Sequence, residues 1–361
     1  MEQFFAALHS TRSSPSSYID MYWKGEILLW YSFEIASFGG ELHFYVKTPN
    51  KFKNIIEANL YAYYPEIEIS DAQDYTDTYP FPGFMGTTKE LYENGYDIWG
   101  SELILAKEDT YPIRTYREFE TMDDYSKMDP IATLLETLGK IKPTEHAWIQ
   151  FIIAPNDTKW KERGANVIKK LREEGRIESK VEGGKQITVD RTPGQAESLK
   201  AMEFNIAKPG YQTVVRYLYM APLADFTSGP VKTGVLGSFN QYSMLTLNSF
   251  KQNPEVQTST NWYSWPFFFP TRRLEERKYR VLRNFKQRKL KETSFFVQFQ
   301  TLATVPPSIM TLNTEALATL YHFPTDLVLT APVIQRMEAK KVGPPAGLPI
   351  FTKDDKLTGF K

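Results

Sequence analysis

Phe4, Phe5 and Leu8 fall at helical spacing on one face, ahead of a Ser-rich loop from His9 to Ser17. The period then shortens to two. Leu29, Tyr31, Phe33 and Ile35 alternate with smaller or polar neighbours, Gly39-Gly40 offers positive φ for a tight turn, and Leu42, Phe44 and Val46 resume the alternation. This predicts a hairpin with one buried face. Asn50 follows as a helix cap with Phe52, Ile55, Ile56, Leu60 and Tyr63 as the apolar stripe, and Pro65 introduces a short strand through Ile67 and Ile69. The segment therefore predicts a β-β-α-β unit.

After a long Pro/Gly/Tyr loop, Asp129 caps and Pro130 enters the first turn of a helix striped by Ile131, Leu134, Leu135 and Leu138. His146 to Ile153 reads as a strand ending at Pro155. Residues 156–191 are charged, with a helix around Trp160, Val167, Ile168 and Leu171 and a Gly183-Gly184 loop that suggests a lobe boundary. Thr192-Pro193-Gly194-Gln195 is a capping box ahead of Leu199, Met202 and Ile206, Pro209-Gly210 stops that helix, and Tyr211 to Met220 predicts a strand. A turn at Ser228-Gly229-Pro230 is followed by a helix running through Leu236 to Tyr242, then by an irregular stretch, an aromatic run, Trp262 to Phe269, and a basic helix over about 273–291. A last helix, capped by Asn313 or Thr314, turns Leu317, Leu320 and Tyr321 inward and stops at Pro324. The expected class is α+β, two lobes of ferredoxin-like β-β-α-β units with mixed or antiparallel sheets. Residues 1–155 form the first lobe, 156–191 a charged helix and linker, 192–330 the second lobe, and 331–361 a Pro/Gly-rich tail.

Length agrees with two units, since 361 residues exceed one domain of ~100–200. The 43 basic and 43 acidic residues cancel, so any affinity for nucleic acid or anionic lipid has to come from local clustering. The absence of cysteine excludes disulfides, thiolate nucleophiles and Cys-containing zinc sites. No apolar run of ~18 residues predicts a membrane span, and no signal peptide is evident. The abrupt apolar start at Met1 suggests a boundary cut upstream.

Catalytic chemistry finds little support. A phosphate-binding loop needs Gly, four residues, then Gly-Lys-Ser/Thr; Gly83 to Lys89 lacks the Gly-Lys pair, and Gly184-Lys185 is followed by Gln186 with Ser179 at the first glycine position. His9, His43, His146 and His322 lie far apart without metal spacing, and no Gly-x-Ser-x-Gly elbow occurs. The sequence thus predicts no catalytic residue, cofactor or metal. Glu66, Glu68, Asp71, Asp74 and Asp77 gather without an intervening base and read as a solvated acidic edge, or as paired carboxylates if they converge. The opposite charge gathers in Arg272, Arg273, Arg277, Lys278, Arg280, Arg283, Lys286, Arg288, Lys289 and Lys291, against Glu275 and Glu276, around a stripe of Leu274, Val281, Leu282 and Phe285. That helix is a candidate surface for phosphate, anionic lipid or an acidic partner, or simply a solvated helix. Trp262, Trp265, Phe267, Phe268 and Phe269 are either packing between lobes or an exposed anchor beside it.

Several segments together, YSFEIASFGGELHFYVKTPNKFKNIIEANLYAYYPEIEISDAQDY, DPIATLLETLGKI, HAWIQFIIAP, TPGQAESLKAMEFNIAKPGYQTVVRYLYMAP and above all LNTEALATLYHFPT, resemble the region that precedes the motor domain in VirB4/TraG-like ATPases of conjugation and type IV secretion, as found in candidate-phylum bacteria. The resemblance runs from about Phe4 to Pro349. In that family the His-Phe-Pro segment is followed by a Pro-rich connection and a nucleotide-binding loop; His322-Phe323-Pro324 and Pro344-Pro345 are present here, while the nucleotide-binding residues have no counterpart. The resemblance implies a non-catalytic docking and assembly region, cytoplasmic and peripheral to the inner membrane. Its partners would be an ATPase motor or secretion subunits, with a homo-oligomer and weak nucleic-acid or membrane contact. The alternative is a peripheral membrane- or nucleic-acid-binding protein using residues 262–291; an unfamiliar enzyme is a distant third. With acid in one lobe and base in the other, copies are expected to attract head-to-tail, unless the two segments pair within one chain.

Overall fold

The computed structural model describes residues 1–12, 29–81, 87–120, 129–156, 159–174, 176–181, 184–189, 191–259, 269–290 and 309–324. Among the described residues the helices are α1 (Glu2–Leu8), α2 (Lys53–Tyr63), α3 (Lys89–Glu93), α4 (Tyr116–Glu120), α5 (Ala132–Gly139), α6 (Lys159–Glu174), α7 (Pro193–Ala207), α8 (Ser228–Asn240), α9 (Pro270–Lys286) and α10 (Thr314–Leu320). The strands are β1 (Tyr31–Phe38), β2 (Glu41–Lys47), β3 (Tyr96–Leu105), β4 (His146–Pro155), β5 (Arg176–Val181), β6 (Gly184–Val189), β7 (Gly210–Pro222), β8 (Phe250–Gln252) and β9 (Met310–Asn313). The class is α+β, as the sequence predicts.

The expected division into two lobes is not how the chain pairs. Seven strands form one antiparallel sheet in the order β2-β1-β4-β7-β3-β8, with β9 also on β7. β7, from the expected second lobe, is the axis. One of its edges pairs with β4 from Tyr211 to Met220, and the other is shared end to end by β3 and β9. A boundary at 156–191 would cut between β4 and β7, which lie side by side at the centre. The reason is visible in composition: Ile149 to Ala154 and Val214 to Ala221 are buried on both faces, so neither strand can serve as the edge of a smaller unit. What the sequence marked as a linker is α6 and the two-stranded ribbon β5–β6, inserted between them.

Alternation assigns the two faces of the sheet. Tyr31, Phe33 and Ile35 of β1, Ile149, Phe151 and Ile153 of β4, and Tyr211, Val215, Tyr217 and Tyr219 of β7 enter one core, with Phe4, Phe5 and Leu8 of α1, Leu134 and Leu138 of α5, Val235 and Phe239 of α8, and Leu317 and Leu320 of α10. Ala36, Trp148, Leu218, Met220 and Ile98 face the other way, toward Val281, Leu282 and Phe285 of α9. The β1–β2 turn uses Gly39 at φ +61 and Gly40 at φ +95, as predicted.

Several local readings change. Pro65 to Ile69 forms no strand; Ile67 and Ile69 pack on the core without a ladder partner. The β-β-α-β unit therefore stops at its helix. β3 was hidden in the Pro/Gly/Tyr loop, although it is a central strand. The capping box of Thr192 and Gln195 forms at α7. Asn313, rather than Thr314, caps α10, accepting from the Ala316 amide at 2.7 Å. Residues 331–361 lie outside the described residues.

This topology predicts that the halves are not independent. Fragments 1–190 and 191–361, produced separately, are expected to lack dispersed amide resonances and a cooperative unfolding transition, because each loses the strand that pairs with its central one. A cooperatively folded first fragment would contradict the single-sheet account.

Candidate partner interface on the charged helix

The face of the sheet beneath α9 carries a polar row in an otherwise apolar layer. Register places Glu34 of β1 beside Gln150 of β4, Gln150 beside Arg216 of β7, and Arg216 beside Glu102 of β3. All four side chains are buried. The Arg216 guanidinium pairs with the Glu102 carboxylate, Nε to Oε1 at 2.8 Å, and donates to the carbonyls of Asn284 at 3.0 Å and Lys289 at 3.1 Å. Gln150 donates to the Phe285 carbonyl at 3.0 Å. The row thus meets the carbonyl-rich, electronegative end of α9 with donors, as a buried helix terminus requires.

Arg288 completes the arrangement from the helix side. Its amide donates to the Phe285 carbonyl and the Lys289 amide to that of Asn284, the two bonds of a Schellman cap. The cap residue is left-handed, φ 47, where glycine is usual. A side chain is retained because it reaches back to the sheet: Arg288 Nε lies 2.9 Å from Glu34 Oε1, and Nη1 lies 2.5 Å from Asp74 Oδ2. Burial works against the Arg288 charge, but Glu34 and Asp74 more than offset it and push its pKa up.

The first half of α9 is tied down as well. Lys278, buried, donates to Asp97 Oδ1 at 2.6 Å and to the Tyr92 hydroxyl at 2.8 Å. Tyr92 and Thr88 in turn donate to Glu275. Arg277 holds the loop after β8, donating to the carbonyls of Pro254, Gln257 and Ser259 at 3.0, 3.1 and 2.9 Å. Burial, with Arg273 and Arg280 nearby, lowers its pKa. Gly100 of β3 lets the helix approach, since a Cβ there would stand 2.7 Å from Val281 Cγ1.

The predicted basic surface is therefore divided. Lys278 and Arg288 are interior, Arg277 is engaged by carbonyls, and Lys286 pairs with Asp77 at 2.9 Å. Arg273, Arg280, Arg283 and Lys289 are half-buried, and Arg272, 79% exposed, pairs loosely with Glu276 at 3.7 Å. Lys291, Trp262, Trp265, Phe267 and Phe268 lie outside the described residues. Phe269, left-handed at the N-cap and 73% exposed, is on the surface. The acidic segment is the counterpart rather than a free edge: Asp74 meets Arg288 and Lys47, Asp77 meets Lys286, and Asp71 meets Lys53. The expected head-to-tail attraction between copies is thus largely consumed within one chain.

Sequence reasoning missed Glu34, Gln150, Glu102, Arg216, Asp97 and Tyr92. The signal was there for the charges, because a lone Glu or Arg inside an apolar strand is almost never buried without a partner. The four histidines stay apart. His43 contacts Glu41, His9 meets the Tyr211 ring, His146 stacks on Trp148, and His322 Nε2 reaches Asp129 at 2.6 Å. Among the described residues no group of three or more His, Asp or Glu side chains is placed to hold a metal, and no helix is long and apolar enough to cross a membrane. The charged groups beneath α9 are mutually satisfied, which suits fixation of the helix rather than proton transfer.

Comparison with protein families matches residues 29–336 to one of them, Domain of unknown function (DUF8128). No curated protein and no solved structure matches the chain.

Asp74 gives this lock a pH signature. Burial raises its pKa, but hydrogen bonds from Arg288, Lys47 and Thr76 and the Arg288 charge outweigh it and hold the carboxyl well below the usual range. A depressed native pKa means that its stabilisation is complete above the unfolded value, about 4, and is lost as pH falls through and below it. In urea titrations Asp74→Asn is expected to be less stable than wild type near neutrality, with the gap narrowing toward about pH 3. A gap independent of pH would contradict the pairing.

Proposed function

The chain belongs to the DUF8128 family; we propose that it is a non-catalytic docking and assembly module of a conjugative or type IV secretion ATPase system. The observation that carries the reading is how the fold uses the segment with the strongest resemblance, LNTEALATLYHFPT. β9 completes one end of β7, and the whole of α10 is buried. Glu315 at its start accepts from Thr115 at 2.5 Å and pairs with Lys208. At its end Tyr321 enters the core, and His322 donates from Nδ1 to the Ala318 carbonyl at 2.9 Å while Nε2 meets Asp129. The chain therefore leaves Pro324 from a fixed point on the sheet. A rigid exit suits a module that sets the position of a motor, joined or docked, and a location at the cytoplasmic face of the membrane accompanies this reading.

A second reading rests on Arg272, exposed in the first turn of α9 near Phe269, and on Arg280, half-buried further along the helix. Contact with nucleic-acid phosphates there is weak and sequence-independent, because much of the helix charge is spent inside. Arg277 is unsuitable for testing it, since reversing its charge would release the loop it holds.

Two measurements test these readings. The purified chain is expected to show no nucleotide hydrolysis above background and no saturable ATP binding by calorimetry, yet to co-elute with a motor subunit of the same transfer system. Micromolar ATP binding, or failure to associate with any motor subunit, would overturn the first reading. For the second, DNA affinity is expected to fall steeply with salt and to be lost in the Arg272→Glu/Arg280→Glu double variant; affinity that survives those changes would exclude this face.

A further inference from the structure

The turn that follows α8 combines exposure with unusual bracing. The Leu247 amide donates to the Met244 carbonyl at 3.1 Å and the Met244 amide to that of Asn248 at 3.2 Å, closing a turn with Leu245 at its tip. Asn248 is fully buried. Its Oδ1 accepts from the Lys107 and Ser249 amides, and its Nδ2 donates to the Glu108 and Tyr111 carbonyls at 3.0 Å each. Ser198 of α7 donates to the Thr246 carbonyl at 2.8 Å, and the Lys107 ammonium donates to that of Leu245 at 2.9 Å. On this fixed base the Leu245 side chain is 99% exposed, with Met244 partly exposed beside it.

Against the same wall lies a cleft of about 290 Å³, lined by Tyr111, Leu171, Leu199 and Met202 and rimmed by Glu174 and Arg191. Ser198 and Tyr111 belong to both features: they line the cleft and hold the turn. Leu245, fully exposed, does not fill the cleft of its own chain.

We propose that this face is a self-complementary interface with a second copy of the chain, in which each Leu245 enters the other copy's cleft. A knob and a hole side by side on one surface are related to those of a second copy by a two-fold axis between them, so both contacts form together and the assembly closes as a dimer. Charge points the same way. Lys107 sits at the base of the knob and Glu174 at the rim of the hole, so insertion brings the ammonium of one copy to the carboxylate of the other. A rigid knob loses little conformational entropy on docking, which favours even a small contact. The inference is independent of the proposed role in secretion.

Sedimentation of the full chain over a concentration series tests it. Wild type is expected to show a monomer–dimer equilibrium, weakened about 100-fold or more by Leu245→Asp, a change expected to leave circular dichroism and melting temperature unaltered. Lys107→Glu and Glu174→Lys should each weaken the dimer, and the two together should restore it. A strictly monomeric wild type would overturn the proposal, as would association untouched by Leu245→Asp or singly weakened variants that the charge swap fails to rescue.

Discussion

Removing a guanidinium and a carboxylate from water costs several kcal/mol per ion, a loss that is offset only where geometry is good and remaining donors and acceptors are met. Here three such pairs, Arg216 with Glu102 and Arg288 with both Glu34 and Asp74, lie between the sheet and α9. Arg216 and Arg288, with Gln150 between the pairs, also donate to the last carbonyls of the helix, those of Asn284, Lys286 and Phe285 respectively. The position of α9 is therefore fixed by chemistry that tolerates little sliding. Apolar contacts such as Phe285 on Trp148 would favour burial of this face, but they would not select one register of the helix along it.

The same constraint ties segments distant in sequence to one sheet. Glu34 stands on β1, Asp74 in the segment after α2, Glu102 on β3 and Arg216 on β7, while the carbonyl acceptors and Arg288 come from the last turn of α9 and the cap that follows it. Segments far apart in the chain have to be in place before any of these charges is compensated. On the opposite face α10 is buried with its ends pinned by Glu315 and His322, so the exit from the fold inherits the rigidity of the sheet.

Local pattern carried part of this structure. The hairpin of Tyr31, Phe33 and Ile35, the strand from His146, the capping box at Thr192 and the inward face of Leu317 and Leu320 could be read because each depends on residues within a few positions. β3 could not, since Gly100, Ser101 and Glu102 break its apolar run, and two of them are there for contacts remote in sequence: Glu102 for Arg216, Gly100 for Val281. The lobes were misjudged for a related reason. A charged stretch reads as a linker whether it connects domains or, like α6 with its ribbon, is inserted between neighbouring strands. The basic helix is the sharpest case. Counting arginines and lysines over 272–291 reveals a cationic surface but not its counter-charges, and the Arg288–Glu34 pair spans 254 positions.

Arg288 offers the most direct test, because its backbone and side chain call for opposite residues. Its left-handed cap conformation favours glycine by roughly 1 kcal/mol, whereas loss of its guanidinium strands the buried Glu34 and should cost about 3–5 kcal/mol. The unfolding free energy of Arg288→Gly, from urea titration at neutral pH, decides between them. If the buried charges hold α9 in place, the variant is markedly less stable than wild type; a variant as stable as wild type, or more so, would show that the helix is held by packing alone.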